Sequence, residues 1–455
     1  MQPFRFHVFA CEQRKAEGLP SCYARGSADT IDALRRELAD RGLADVVQLT
    51  TTGSLGLCER GPNLVVYPDG VWYSGVRPSD VPEIVAEHFG RGRPVERLLN
   101  RDAAAVREEI ATNRGRALAA LRARDAAGVL PDEWNDTIRG YQPSRVVLSA
   151  VELDVFSAVA RAGPGARLEG LARYTGTSVR GLEILLDALV ALGLLRKDAG
   201  VYANAPVAAR YLAEDSPDDA RAALRHNLSL WQTWSGLSEC VRTGSAHRRE
   251  MSERGDDWTL PFIAAMHRNA ALRAPLVAQA VGAERVTRLL DVGGGSGAYS
   301  IAFAQANPAL TAVVFDLATV VPIAEAHVAE AGLGARVRTK VGDLRQDAFG
   351  AGHDLVLLSA ICHMLGPDEN RDLLRRVFAA LEPGGRVAIQ DHVMRDDRTA
   401  PRAGALFAVN MLVGTAQGGT FTLAEYRSWL EGAGFRDVRQ LPLPGPNDLV
   451  LATRP

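Results

Sequence analysis

"LLDVGGGSGAY", residues 289–299, is an apolar run closed by Asp291, then glycines at Gly293, Gly295 and Gly297, then the start of a helical pattern. Glycine permits a tight turn and leaves no Cβ between the backbone and a ligand, while the helix that follows offers free amides. A strand, a G-x-G-x-G turn and a helix therefore open a nucleotide-type site, but nicotinamide enzymes share that turn. The segments downstream narrow it. "LTAVVFDL" (310–317) is a strand ending at Asp316, "ARVRTKVGDL" (335–344) a third with Gly342 and Asp343 past its end, and "HDLVLLSAI" (353–361) a fourth with His363 just beyond. "GGRVAIQDHVM" (384–394) is a fifth, and "VRQLPLPGPNDLVLATRP" (438–455) a closing hairpin. Strands alternating with helices predict a mainly parallel sheet covered on both faces, with ligands at the carboxyl ends of the strands near the switch in strand order. Asp316 can take both hydroxyls of a ribose, Asp343 can accept from an adenine amino group, and the turn needs no pyrophosphate. Solvated acids beside an ordinary turn are the plainer reading; acids in register at successive strand ends count against it.

Upstream, apolar periodicity becomes dense at Tyr141. "SRVVLSAVELDVFSAVARAG" (144–163), "RLEGLARYTGT" (167–177) and "SVRGLEILLDALVALGLLRKDAGVYAN" (178–204) outline a winged helix: helix, helix, turn, helix and a short hairpin. Its presumptive recognition helix, 178–192, carries Arg180 against Glu183 and Asp187. Phosphate contact needs basic side chains and base reading needs polar ones, so packing on another subunit is favoured over DNA binding. The net charge of −2 likewise gives no broad attraction to nucleic acid or to anionic membrane.

"LLDVGGGSGAY", "VVFDL", "VGDL", "SAICHMLGPDENRDLLRRVFAALEPGGRV" and "LAEYRSWLEGAGF" resemble the class I S-adenosylmethionine-dependent O-methyltransferases of the caffeate and small-molecule natural-product type, over about residues 141–455. The resemblance implies a winged-helix dimerisation domain (141–250), a homodimer, and a Rossmann-like methyltransferase domain (251–455). It implies that Asp291, Gly293, Gly295, Gly297, Asp316, Leu317, Gly342, Asp343, Leu344 and Ser359 hold S-adenosylmethionine. It maps the base that takes a hydroxyl proton onto His363 of "ICH", and its orienting acid onto Asp391. A second family acid would fall at Thr420 and is absent, which weakens the case for a fully organised base and keeps carbon or nitrogen methylation open, with His363 then only a polar wall residue. Trp231, Trp234, Met266, Asn269, Asn410 and Met411 fall in segments that line the family's acceptor pocket, a mixture suited to a planar apolar small molecule. Cys240 and Cys362 read as packing residues.

The first 140 residues pose a different question. Segments 5–90 read as strand, helix, strand, hairpin turning at Pro68-Asp69-Gly70, and closing helix, the order of a thioredoxin-like fold; Ser27 or Asp29 is the expected cap of the first helix. Residues 96–140 form an Ala/Arg-rich helix with a thin apolar face, expected to be a linker. Five cysteines in a long chain suggest no disulfide framework. No signal-peptide order and no apolar run near the roughly 18 residues of a membrane span are present, so a cytoplasmic location is expected. Residues 1–95 resemble the thioredoxin-like 2Fe-2S ferredoxins, whose first two cysteines match Cys11 and Cys22. "TGSLGLCERGP" (52–62) matches their second ligand loop, with Cys58 present but Ser54 at the third ligand. A serine hydroxyl ionises far less readily than a thiol. An inherited scaffold without a cluster, a labile or altered cluster, and an incidental loss of a native ligand remain open, and zinc on three thiolates has less support. The rival to an enzyme is an iron-sulfur or redox sensor whose methyltransferase-like domain only binds a ligand.

Overall fold

Two compact units divide the chain, Met1–Gly140 and Tyr141–Pro455. The structure is a computed structural model describing residues 3–15, 20–128, 130–214, 216, 218–246 and 256–455. In the first unit, β1 (Phe6–Cys11), α1 (Ser27–Asp40), β2 (Val47–Thr52), β3 (Asn63–Tyr67) and β4 (Val71–Ser74) build a sheet of order β2-β1-β3-β4. The β1/β2 pair is parallel and the others antiparallel. Phe6, Val8 and Ala10 alternate into a core with Ile31, Leu34, Leu64, Val66 and Phe89. The cap of α1 departs from expectation. Gly26, at φ 85°, precedes the helix and no side chain caps it, while Ser27 is a buried helical residue; the chain enters the helix through a left-handed turn that glycine adopts at little cost. The closing helix is one α turn, α2 (Val81–Glu83), widened into a π segment over Ile84–Gly90.

Helix α3 (Ala103–Ala126) is capped by Asp102, whose Oδ1 accepts from the amides of Ala104 and Ala105, and α4 (Asp132–Arg139) follows. α3 is no free connector. Val106 is buried, Asn113 Nδ2 donates to the Gly56 carbonyl at 2.7 Å, and Glu109 pairs with Arg60. A Cβ on Gly56 would stand 3.0 Å from the Ile110 side chain, so the helix rests on the loop that carries Ser54 and Cys58.

The second unit begins with the winged-helix outline: α5 (Tyr141–Glu152), α6 (Val155–Ala162), α7 (Leu168–Thr175), α8 (Val179–Ala191) and the hairpin β5 (Leu195–Asp198)/β6 (Val201–Asn204). Ser178 caps α8 by accepting from Gly181 N, and Leu182, Leu186 and Leu189 turn one face of it inward. Then come α9 (Pro206–Tyr211), α10 (Arg221–Trp234), α11 (Leu237–Thr243) and α12 (Asp256–Val281). The remainder alternates: β7 (Arg288–Val292), α13 (Ala298–Ala306), β8 (Thr311–Asp316), α14 (Val321–Glu330), β9 (Val337–Val341), β10 (His353–Ser359), α15 (Pro367–Ala380), β11 (Leu381–Asp391), β12 (Val393–Met394), α16 (Arg402–Gly414), β13 (Phe421–Thr422), α17 (Leu423–Ala433), β14 (Arg436–Leu441) and β15 (Asp448–Thr453). Their main sheet runs β14-β15-β11-β10-β7-β8-β9, with only the β15 pairings antiparallel. Apolar side chains cover both faces in two separate clusters. The order turns back between β10 and β7, which sets the crevice for a ligand at the carboxyl ends of those strands. Among the described residues no helix is long and apolar enough to cross a membrane.

Candidate active site

The turn after β7 is built by three glycines in the left-handed region, Gly293 (φ 66°), Gly295 (φ 58°) and Gly297 (φ 75°). Two of its amides are fixed from β8: Gly293 N donates to Phe315 O, and Gly295 N to Asp316 Oδ2, both at 2.8 Å. A Cβ on Gly293 would meet Ile361 Cδ1 at 2.3 Å and one on Gly342 the Phe315 ring at 2.3 Å, whereas one on Gly295 would meet nothing within 4 Å. The Phe315 ring thus favours glycine at 342, the positive φ together with Ile361 favours it at 293, and Gly295 faces open space. Asp291 is buried beneath the turn. Its Oδ2 accepts from Ser300 Oγ at 2.9 Å and its Oδ1 has no partner. Burial pushes its pKa up to about 7, against the Ser300 hydrogen bond and with the Asp316 charge adding to the rise. Asp316, half-buried, is raised by burial too, opposed by the amides of Gly295 and Leu317. Asp343 folds into its own loop, Oδ1 accepting from Arg345 N at 2.8 Å. Leu317 is exposed and Leu344 half-buried beside these acids, and Ser359 Oγ donates to Gln390 Oε1 at 2.9 Å.

Past β10, His363 sits in a short 3-10 turn, Cys362–Met364, that Asn370 fastens by donating to the carbonyls of Cys362 and Leu365. His363 Nδ1 lies 2.8 Å from Asp391 Oδ1, and the His363 backbone N–H donates to Asp391 Oδ2 at 3.1 Å. An ionised carboxylate only accepts, so in the neutral ring the tautomer with the proton on Nδ1 fits this contact and leaves the lone pair on Nε2. Both side chains are buried, and the Phe407 ring stands edge-on to His363 at 4.8 Å. Thr420, also buried, supplies no carboxylate. Cys362 is fully enclosed, its thiol pushed well up by burial, and Cys240 is buried, as packing residues should be. The motifs did not single out His392, whose ring lies 4.4 Å from that of Phe407 and whose buried Nδ1 has no partner; its place beyond a strand end next to Asp391 was the available signal.

The expected acceptor wall is assembled in part. Trp234 Nε1 of α10 donates to Asn410 Oδ1 of α16 at 2.9 Å, with Met411 buried beside it. Trp231 and Met266 are half-buried, Trp231 beneath the Arg145 guanidinium at 5.8 Å. Asn269 is the outermost of the six. It is exposed, one turn along α12 from the half-buried Met266.

In the first unit Cys11, Cys22 and Cys58 are all buried free thiols. Cys11 accepts from the Cys22 thiol, which holds its pKa down to about 6 against burial, with the Gln13 and Leu55 amides helping; Cys22 is pushed up by the same bond. Asn63 Nδ2 donates to Cys22 Sγ at 3.3 Å, and Ser54 Oγ lies 3.2 Å from Cys58 Sγ. The expected ligands thus meet in two close contacts, Cys11 with Cys22 and Ser54 with Cys58, and Cys58 also acts on Cys22 electrostatically. Among the described residues no three His, Cys, Asp or Glu side chains group so as to hold a metal ion.

The model of an O-methyltransferase dimerisation domain matches residues 135–214, and that of an O-methyltransferase domain residues 223–436. The chain is 35% identical to 3-hydroxy-5-methyl-1-naphthoate 3-O-methyltransferase of Streptomyces sahachiroi, over 71% of this chain and 95% of that protein. It is 32% identical to the tetracenomycin polyketide synthesis 8-O-methyltransferase of Streptomyces glaucescens, over 69% and 93%. The crystal structure of human N-acetylserotonin methyltransferase in complex with S-adenosylmethionine superposes with a TM-score of 0.64 at 26% identity, over 71% and 97%. The chain belongs to this O-methyltransferase family. It is an S-adenosylmethionine-dependent methyltransferase in which a dimerisation domain precedes a Rossmann-like domain.

Proposed function

We propose that the enzyme methylates a hydroxyl of a small aromatic, polyketide-like molecule, with His363 as general base steered by Asp391. The observation that carries this reading is the buried His363–Asp391 pair at 2.8 Å, which leaves Nε2 to take the proton. The naphthoate and tetracenomycin enzymes, both O-methyltransferases by name, support a fused aromatic acceptor. The site fits S-adenosylmethionine: the partnerless buried oxygen of Asp291, the open space over Gly295 and the half-buried Asp316 and Asp343 suit a ligand with amino and hydroxyl donors. Asp291, the glycine turn, Asp316, Leu317, Gly342, Asp343, Leu344 and Ser359 would hold it. When bound it supplies an electrophilic methyl on a sulfonium. The chain's own work is positional: Trp231, Trp234, Met266, Asn410 and Met411 hold the acceptor and exclude water, and His363 removes its proton. His363→Ala should lower turnover by ~10²–10⁴-fold while leaving S-adenosylhomocysteine affinity near that of the parent. Near-normal turnover would instead favour carbon or nitrogen methylation, the second reading, which the lack of an acid at Thr420 keeps alive. The acceptor is found by screening metabolites made by enzymes encoded beside this one.

Residues 1–95 we read as a thioredoxin-like scaffold, supported by the β2-β1-β3-β4 order with one parallel pair. The residues present do not fit a four-thiolate 2Fe-2S cluster, since Ser54 stands beside Cys58 where a thiolate is needed. The domain's role is then structural or regulatory. Homodimerisation through the 141–250 helices and residence in the cytoplasm, where buried thiols stay reduced, complete the proposal.

A further inference from the structure

A turn with glycines at 293, 294, 295 and 297 has little of its own to hold it, because each glycine gives up more backbone freedom on ordering than any other residue. Ser296 is the one residue among them with a side chain, and it is buried. Its Oγ lies 2.8 Å from His267 Nδ1, a residue of α12. The His267 ring in turn lies flat on that of His327 of α14, centroids 3.9 Å apart and planes within 6°. Burial first, and the His327 ring next, pull His267 below the ordinary histidine range, so near neutral pH it is an uncharged imidazole. That suits a place beside a turn meant for a sulfonium ligand, where a lysine or arginine would repel it. The other charged neighbours face elsewhere or act at one remove: Glu330 Oε2 stands 3.7 Å from His327 Nδ1, and the Arg268 guanidinium binds the carbonyls of Asp218 and Asp219.

We propose that His267, clamped by His327, is a positioning residue for S-adenosylmethionine: it holds Ser296, and with it the glycine turn, in the cofactor-binding shape. Because Met266 is its neighbour on α12, the same contact ties the acceptor wall to the cofactor turn. The inference rests on reading the turn as the cofactor site.

Calorimetric titration of the full-length protein with S-adenosylhomocysteine tests it, with Asp316→Ala as the control for the site itself. His267→Ala should weaken binding about three- to tenfold, what one hydrogen bond contributes. His267→Asn, whose amide occupies the same δ position, should restore it to within about twofold. His327→Ala should weaken it by removing the clamp. Should His267→Ala not fold, Ser296→Ala breaks the same bond from the other end with the same expected loss. His267→Ala binding as tightly as the parent, while Asp316→Ala has lost affinity, overturns the proposal and leaves the site standing. Asp316→Ala binding as the parent does removes the site and the proposal together. Equal weakening by His267→Asn and His267→Ala, with a lower Tm of the ligand-free protein, would mark His267 as merely structural and also overturn it.

Discussion

Asp291 is buried with one oxygen bonded to Ser300 and the other facing no partner, so its charged form opposes folding. Folding raises its pKa from the ordinary carboxylate range to about 7. Between those two values the folded chain binds more protons at this site than the unfolded one, so stability falls as pH rises through that window and the penalty is complete above it. Asp291→Asn should remove this dependence: relative to the parent, the variant should gain stability at about pH 8 and gain little at about pH 4. Urea midpoints of both proteins across that range decide it, and parallel curves would mean that Asp291 is not the group responsible. Ser54 offers a second single-residue test. Ser54→Cys should acquire a stable 2Fe-2S chromophore on anaerobic reconstitution, while the parent binds iron weakly or not at all, because a hydroxyl is a poor replacement for a thiolate. Visible absorption with iron and sulfide analysis reads the outcome. An air-stable cluster in the parent refutes the weak-site reading, and a variant that gains none means the loop has lost more than one ligand. Asp316→Ala should weaken S-adenosylhomocysteine binding markedly, since it removes both the proposed ribose contact and the anchor of Gly295 N.

At the scale of elements, most of the second unit was readable because its strands are marked by apolar runs and ended by charged residues. Asp291, Asp316, Asp343 and Asp391 each fall at or just past the end of the strand their sequence suggested. What escaped reading lacks a local signal. The α1 entry depends on the conformation of Gly26, and the π segment over Ile84–Gly90 repeats apolar residues much as an α-helix would. The His267–His327 stack joins positions sixty residues apart, and the seat of α3 on Gly56 is defined by a missing side chain. Gly342→Ala tests how tightly the turn after β9 is packed. Its Cβ must displace the buried Phe315 ring, so a loss of about 1–3 kcal/mol in a denaturation midpoint is expected, and an unchanged midpoint would mean that the loop moves freely.

For the whole molecule, the apolar residues left exposed on the winged-helix segment matter most. Leu153, Val179, Ile184 and Leu192 are all exposed on α5–α8 or their ends. A second copy covering them is the expected use of this surface. Sedimentation should find a dimer at micromolar concentration; a monomer there would count against the assembly. The methyltransferase was legible in its motifs, whereas the meeting of Trp234 on α10 with Asn410 on α16 is a shape that no spacing encodes. The docking of α3 on the Gly56 loop has a consequence for how such a chain can be recombined. Glycines at 90 and 92 look like the natural joint for grafting the first domain onto another enzyme. A graft cut there would strip Ile110 and Asn113 from the cysteine loop, so the transplantable module ends near residue 140, and the helix belongs to the cargo and not to the tether.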